Sequence, residues 1–185
     1  MGRVRAINWK YALDFVQARA SRDRLEAIFQ SLTAADQAEL RQPYRPNAWV
    51  DYGAHIRFLT AADRALGKGD LSLLREEGRH GAEKGLNSVY KVFMLFTSPQ
   101  YLLKKTAQIW NQYYDEGRAN VEVLGDKSAR LRVTDYPGIP LHHDVENIGW
   151  METALQMCHC RKATIRHPRC MARGDAACVF EAAWI

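Results

Sequence analysis

The sequence predicts an α+β protein in which N-terminal helices pack on an antiparallel sheet. Up to residue 116, apolar residues recur at spacings of three and four, the period of an amphipathic helix. From residue 117, two stretches of alternating apolar and polar residues enclose one apolar helical run. Helices followed by hairpin, helix and hairpin are typical of an α+β domain built on an antiparallel sheet.

Length and composition indicate one globular domain, residues 1–185, with a mainly helical part (1–116) and a hairpin–helix–hairpin part (117–185). Hydrophobic residues make up 47% and charged residues 25%, as in ordinary globular proteins. We find no run of eighteen apolar residues and no signal-peptide pattern, so we expect a cytoplasmic protein without a membrane span. The net charge of +5 is spread along the chain, so we do not expect a nucleic-acid partner.

The helical part divides at identifiable start and stop signals. Thr33 and Ser98 are predicted N-caps, and Pro99 occupies the first position of the second of these helices. Two prolines make residues 42–47 a connector. The predicted segments are a short strand over 4–9 and helices over 10–20, 22–32, 34–40, 51–66, 71–96 and from 99 onward.

Three glycines, at positions 78, 81 and 85, lie close to one face of the longest predicted helix. Each costs about 1 kcal/mol relative to alanine inside a helix, so close packing or a ligand is expected beside them. The carboxylates of Glu76 and Glu77 are assigned to the solvent face of the same helix.

Cysteine spacing near the end of the chain indicates a second hairpin and a metal site. Cys170 and Cys178 flank the turn 173–175, so pairing of the two strands brings both thiols together. His167 can face the same end, and His143 can complete two thiolates and two imidazoles, a usual zinc donor set. An all-thiolate set with Cys158 and Cys160 is the alternative, and four thiols acting as small hydrophobes are a third reading.

A family resemblance rests on residues from the same region. These are Gly149-Trp150, Cys170, Gly174-Asp175, Cys178, Phe180 and Trp184, supported upstream by 47–49, 67–70, 78–90 and 114–117. With them the sequence resembles the 4-vinyl-reductase-type domain and, more closely, a bacterial paralogous family related to it. The resemblance implies a small-molecule-binding sensory fold shared with haem–nitric-oxide-binding domains and with Golgi-transport TRAPP subunits.

The resemblance also implies dimerisation and, in several relatives, a zinc ion next to the ligand pocket. The matching positions in this chain are His167, Cys170 and Cys178. The fourth ligand of such domains lies just before the helix, where cysteine is common and this sequence has His142 and His143 instead. The choice between these two histidines stays open.

Haem is another candidate cofactor, because the haem-binding relatives use a helical histidine. His55 and His80 lie on predicted helices, and His80 is the better candidate because glycines 78 and 81 flank it. A lone helical histidine is more often a surface or core residue than an axial ligand, so we do not expect haem.

An apolar ligand pocket is expected between helices and sheet. The candidate lining residues are Tyr90, Phe93, Met94, Trp110 and Trp150. The alternative is that they simply fill the core.

Catalytic signatures such as a nucleophile elbow, a phosphate-binding loop or HExxH do not occur in the sequence. We therefore expect a non-enzymatic ligand-binding or sensory domain, with a small apolar ligand, a structural zinc ion, a homodimeric state and a separate protein effector. An interaction or scaffold domain without ligand is the alternative, followed by a haem sensor or a reductase-type enzyme.

Overall fold

The computed structural model describes residues 2–87 and 97–185 and confirms the predicted α+β class with antiparallel sheets. The helical part contains β1 (Arg3–Arg5), α1 (Ala6–Gln17), α2 (Arg22–Gln30), α3 (Ala34–Leu40), β2 (Trp49–Asp51), α4 (Tyr52–Leu66), α5 (Ser72–Asn87), α6 (Pro99–Gln108) and α7 (Trp110–Tyr113). The rest contains β3 (Arg118–Gly125), β4 (Ser128–Thr134), α8 (His143–Met157), β5 (Ala163–Arg169), a 3₁₀ turn (Met171–Arg173) and β6 (Cys178–Trp184).

The main sheet has four antiparallel strands in the order β3-β4-β6-β5. Leu131 of β4 pairs with Phe180 of β6, and Val133 pairs with Cys178. Along β4 the apolar residues are buried at every second position, as the alternation of the sequence predicts. The sheet thus joins the predicted first hairpin to the cysteine-containing second one.

Strand β5 contains an irregularity that matters for the site. Its pairing with β6 is regular up to Arg166 and shifts before Arg169, so the shift covers His167 and Pro168. Proline cannot donate a ladder hydrogen bond, and within sheets it occurs at edges or bulges. The bulge changes the direction of the strand just before Cys170.

Helices α5 and α8 pack against each other through two glycines. A Cβ atom on Gly78 would collide with the carbonyl of Glu146, and one on Gly149 would collide with the carbonyl of Arg75. Close packing therefore explains Gly78, one of the three glycines noted in the sequence. Gly81 and Gly85 have more room, since their nearest neighbours would lie 3.8 and 3.9 Å from an added Cβ.

Helix capping follows the predicted residues at two starts. The hydroxyl of Thr33 accepts the N–H of Asp36, and that of Ser98 accepts the N–H of Tyr101 with Pro99 in the first turn. Some boundaries differ from the expectation. Helix α1 covers Ala6–Gln17, where a strand over 4–9 and a helix over 10–20 were expected, because the short strand β1 ends at Arg5 with its last pair to β2. Helix α8 begins at His143, five residues before the apolar run that starts at Ile148.

One hydrophobic cluster extends from the helices to the sheet. Its fully buried members include Phe15, Phe58 and Leu74 on helices and Cys178 on β6. Within the ranges that the structure describes, no helix is long and apolar enough to cross a membrane.

Candidate metal centre

Four side chains that the sequence singled out lie together at the end of the second hairpin. His143, His167, Cys170 and Cys178 each offer one ligand atom, and these atoms all lie within 4.8 Å of one another. Cys170 and Cys178 are fully buried, and His143 is 1% exposed. The structure therefore brings together two imidazoles and two thiols in a site closed to solvent.

Three of these residues lie at the start or just after the end of a helix or strand, and the fourth lies in the irregular part of β5. His143 is the first residue of α8, and it follows His142, whose left-handed backbone (φ 68°) turns the chain into the helix. His167 lies in the bulge of β5. Cys170 follows that strand directly, and Cys178 opens β6 after the 3₁₀ turn.

Both histidines are oriented by an oxygen atom on the side away from the thiols. The Nδ1 of His143 lies 2.8 Å from the carbonyl oxygen of Pro140, so it donates its proton there and leaves Nε2 with a lone pair. This Nε2 lies 3.5 Å from the Sγ of Cys178. The Nδ1 of His167 lies 3.0 Å from a carboxylate oxygen of Asp144, and its buried Nε2 has no hydrogen-bond partner.

The turn between β5 and β6 forms hydrogen bonds with both cysteines. The backbone N–H of Met171 donates to the Sγ of Cys178 at 3.3 Å, a contact that favours a thiolate. The carboxylate of Asp175 accepts the N–H of Cys170 at 2.7 Å and holds the turn. Burial and the neighbouring Cys170 nevertheless raise the pKa of Cys178 well above its usual range, which favours the thiol form.

The protonation state of His143 suits a metal ion. Burial lowers the pKa of His143 to about 4, so its imidazole is neutral at pH 7, the form that binds metals. Burial alone would raise the pKa of Asp144, but its hydrogen bond with His167 and the nearby His143, His167 and Arg173 lower it to about 2. Asp144 is therefore a carboxylate that orients His167.

Two nitrogen and two sulfur donors at this spacing match a tetrahedral transition-metal site. Oriented histidines are typical of metal ligands, because the second nitrogen fixes the tautomer and the ring direction. An ion held by all four side chains would have no open position for a water molecule or a substrate, so its role would be structural.

The alternative ligands from the sequence lie elsewhere. Cys158 and Cys160 are buried but are not part of this cluster, and Cys158 packs with Leu102 and Ala154. Burial, with a contribution from Cys160, raises the pKa of Cys158 to about 11, so it stays a thiol. His142 precedes the helix and is not part of the cluster either.

Only two of the five residues expected to line an apolar pocket belong to the described part of the chain. Tyr90, Phe93 and Met94 lie outside the described residues. Trp110 stacks on Tyr114 with ring centroids 4.2 Å apart, and Trp150 packs against the core. An open pocket of about 460 Å³ lies among α1, α2 and the end of α3, with apolar residues such as Trp9 and Phe29 and polar ones such as Lys10, Glu26 and Arg41 in its walls.

The roles of two polar residues, Asp144 and Glu77, were not predicted from the sequence. Asp144 follows His143 directly, and a carboxylate beside a ligand histidine was the available signal for its orienting role. Glu77 was placed on the solvent face of its helix and is 2% exposed, so that assignment is wrong. The reason is that Glu77 faces α8 and α4, and the amphipathic pattern of α5 cannot distinguish a buried carboxylate from an exposed one.

Comparisons with known proteins identify the fold. No protein-family model and no curated protein matches this chain. An H-NOX protein from K. algicida in its unliganded Fe(II) state has a TM-score of 0.70 and 12% identity, over 98% of this chain and 96% of its own. An H-NOX protein from S. oneidensis with Fe(II)NO has a TM-score of 0.69 and 14% identity, over 98% and 99%.

A third solved structure is an oxygen-binding H-NOX domain related to soluble guanylate cyclases, with a TM-score of 0.64 and 10% identity over 95% of this chain and 92% of its own. These likenesses confirm the haem–nitric-oxide-binding-like fold that the resemblance implied. They do not show membership of the 4-vinyl-reductase-type family.

The expectation about cofactors, a zinc ion and no haem, is contradicted by these neighbours, because H-NOX proteins of this fold are described with Fe(II) and with its NO and oxygen complexes. One further neighbour was studied for its haem redox potential. The comparisons give zinc no support. A lone helical histidine is seldom an axial ligand in general, but this expectation did not take the surrounding fold into account.

A haem group needs an axial ligand that faces a large cavity. His80 on α5 supplies a nitrogen, because its Nε2 is buried without a hydrogen-bond partner and burial lowers the pKa of the ring. Its ring lies beside Phe15, with centroids 5.5 Å apart, and no histidine lines the 460 Å³ cavity. Among the described residues, His80 is thus a candidate nitrogen ligand that lies apart from this pocket.

Proposed function

We propose that this chain is a non-enzymatic ligand-binding sensory domain whose C-terminal hairpin is held to helix α8 by a divalent transition-metal ion. The ligands are His143, His167, Cys170 and Cys178. The observation that carries the proposal is the convergence of their four donor atoms within 4.8 Å. The fold supports the sensory part, since its solved neighbours include proteins with bound NO and oxygen.

The metal ion would connect two segments that are far apart in the sequence. His143 belongs to α8, whereas the other three ligands belong to the hairpin of β5 and β6, at least 24 positions later. An ion that binds the folded state and not the unfolded chain stabilises it in proportion to its affinity. The ion therefore fixes the register in which α8 lies against β5.

The donor chemistry also makes the centre sensitive to acid. Thiolates and neutral imidazoles bind the ion, so protons compete with it and lowering the pH should release it. Release would leave a buried thiol pair and a neutral His143. The hairpin would then be held by the sheet pairing and by the stacking of His167 on Phe180, with ring centroids 4.1 Å apart.

The test compares two buried cysteines. Cys170→Ala should lose the metal and lower the unfolding free energy by about 3 kcal/mol, which for this chain length is a fall in Tm of roughly 6–12 °C. Cys158→Ala, the matched control outside the cluster, should keep the metal and lose about 1 kcal/mol for the buried sulfur. Elemental analysis of protein purified without chelators and thermal unfolding give the two readouts.

Equal metal content in Cys170→Ala and the parent would refute the centre. So would a parent protein that contains no transition metal and whose stability is unchanged by chelators. If the Cys158→Ala control lost the metal instead, the alternative thiolate set from the sequence would replace the proposed one.

A second candidate function is haem binding, favoured by the likeness to H-NOX structures. His80 is the described residue with a buried, free imidazole nitrogen outside the two histidine-containing clusters. Haemin added to the protein should give a stoichiometric Soret band that His80→Ala removes and that a control at the exposed His159 keeps. Absence of such a band in the parent protein would rule this function out.

A further inference from the structure

A second cluster of potential ligands lies inside the helical part and is unrelated to the cysteines. His55 on α4, Glu77 on α5 and Glu146 on α8 present ligand atoms that all lie within 4.8 Å of one another. His55 is fully buried, Glu77 is 2% exposed, and the side chain of Glu146 is 12% exposed. Two carboxyl groups and an imidazole thus meet where three helices come together.

The hydrogen bonds of this cluster are incomplete. The Nε2 of His55 lies 3.2 Å from the Oε1 of Glu146. The Nδ1 of His55 and the Oε2 atoms of Glu77 and Glu146 are buried and have no partner in the described parts of the chain. Buried polar atoms are nearly always paired with protein or solvent groups, so three in one cluster point to a bound species.

The charge of the cluster is not balanced by the protein. Among the residues that the structure describes, His55 is the only ion-pair partner of Glu146, and Glu77 forms no ion pair. Two buried carboxylates without a cation are costly, because removal of charge from water is repaid only by close pairing. Burial and the neighbouring Glu146 accordingly raise the pKa of Glu77 well above its usual range.

We propose that His55, Glu77 and Glu146 bind a divalent cation of the Mn²⁺ or Fe²⁺ class. Two carboxylate oxygens and one imidazole nitrogen are a donor set that such ions accept, and two carboxylates balance the charge of a divalent ion. The 3.2 Å between His55 and Glu146 is a normal separation of adjacent ligands on one metal ion. With three protein ligands, the ion keeps open positions, in contrast to the closed cysteine centre.

A network of hydroxyl and amide groups lies next to the cluster. The side chain of Asn147, next to Glu146, donates to the hydroxyl of Tyr52 at 3.1 Å and accepts from that of Tyr114 at 3.2 Å. Both tyrosines carry pKa values raised by burial and then by nearby acidic or phenolic groups, so their hydroxyls remain neutral. The network gives the cluster polar walls within an apolar core.

A proton shared by Glu77 and Glu146 is the competing explanation, and Mn²⁺ distinguishes it from the proposed site. Titration of chelator-treated protein with Mn²⁺, followed by the loss of the free-ion electron paramagnetic resonance signal, should show one bound ion per chain. Mn²⁺ suits this test because it prefers oxygen ligands and competes poorly for thiolate sites. No binding to the folded parent protein would overturn the proposal and leave the shared proton.

Variants locate the bound ion. Glu77→Gln should weaken Mn²⁺ binding at least tenfold, since an amide removes one charge with little change in shape. Glu116→Gln is the matched control, because Glu116 also has a buried oxygen without a partner but lies outside the cluster. Cys170→Ala should bind Mn²⁺ as the parent does, which separates this site from the cysteine centre. Equal affinity of Glu77→Gln and the parent would overturn the proposal.

Should Glu77→Gln fail to fold, a crystal of the parent protein soaked in Mn²⁺ decides the question. An anomalous-scattering peak among His55, Glu77 and Glu146 would support the site. A peak elsewhere, or none, would overturn it. This outcome is independent of the proposed cysteine centre, whose ligands lie on other residues.

Discussion

Asp144 is a single side chain that orients one of the ligands of the proposed metal centre. Its carboxylate holds His167 through a 3.0 Å hydrogen bond and lies 3.5 Å from the guanidinium of Arg173. It does not reach the donor atoms itself, so its effect on the metal passes through the orientation and basicity of His167.

Replacement of this carboxylate gives the prediction at this scale. Asp144→Asn should lower the metal affinity about 10- to 100-fold, the usual effect of losing a group that orients a ligand histidine. The exposed Glu122→Gln is the control and should bind as the parent does. Competition with a coloured chelator measures the affinity, and an unchanged value for Asp144→Asn would argue against His167 as a ligand.

Residue types and spacing were enough to single out His167, Cys170 and Cys178 as neighbours, because hairpin pairing of the two strands brings their side chains to one end. They could not choose between His142 and His143. That choice depends on the left-handed turn at His142, after which His143 is the first residue of the helix and the histidine that belongs to the cluster. Glu77 could not be found either, since its burial results from α8, a helix 66 positions away at its first residue.

At the scale of elements, the contact between α5 and α8 sets the positions of both proposed sites. His143 and Glu146 lie in the first turn of α8, and Glu77 lies on α5. The approach of the two helices depends on Gly78 and Gly149, each of which packs against a backbone carbonyl of the other helix. A change in this contact should therefore displace the ligands on both helices.

Two alanine substitutions on α5 test this contact. Gly78→Ala should destabilise the protein by about 3 kcal/mol, because its Cβ meets backbone that cannot move aside cheaply. Gly81→Ala, one turn later, should stabilise it by up to about 1 kcal/mol through higher helix propensity, since its Cβ has room. Chemical denaturation gives both values, and similar effects of the two substitutions would contradict the close packing described here.

The periodicity of the sequence predicted most elements, because apolar spacing directly reports which face of a helix or strand is buried. The alternation of Ala129, Leu131 and Val133 in β4 is an example. The bulge at His167 and Pro168 was not predicted, although proline within a strand was a usable signal. Strand β2 was missed because three residues carry too little pattern.

At the scale of the whole molecule, the H-NOX-like fold places a mainly helical part beside a four-stranded sheet. The two proposed ion sites share the first turn of α8: the other ligands of one lie on the hairpin, and those of the other lie on α4 and α5. Helix α8 is thus the element through which a change at one site can reach the other.

The homodimer expected from the sequence stays a prediction. Exposed apolar side chains lie on the edge strand β3, where Val123 is 41% and Leu124 is 46% exposed, and an exposed edge strand favours association. Light scattering at tens of micromolar should give twice the chain mass of 21.2 kDa. A monomer under these conditions would remove the expectation without affecting either ion site.

Anomalous diffraction from crystals of the parent protein, at the absorption edge of the metal that elemental analysis detects, would locate a transition-metal ion held by the four side chains at the hairpin. We expect a peak about 2.0–2.4 Å from the Nε2 atoms of His143 and His167 and from the Sγ atoms of Cys170 and Cys178. No peak at this position, or a disulfide between the two cysteines, would contradict it.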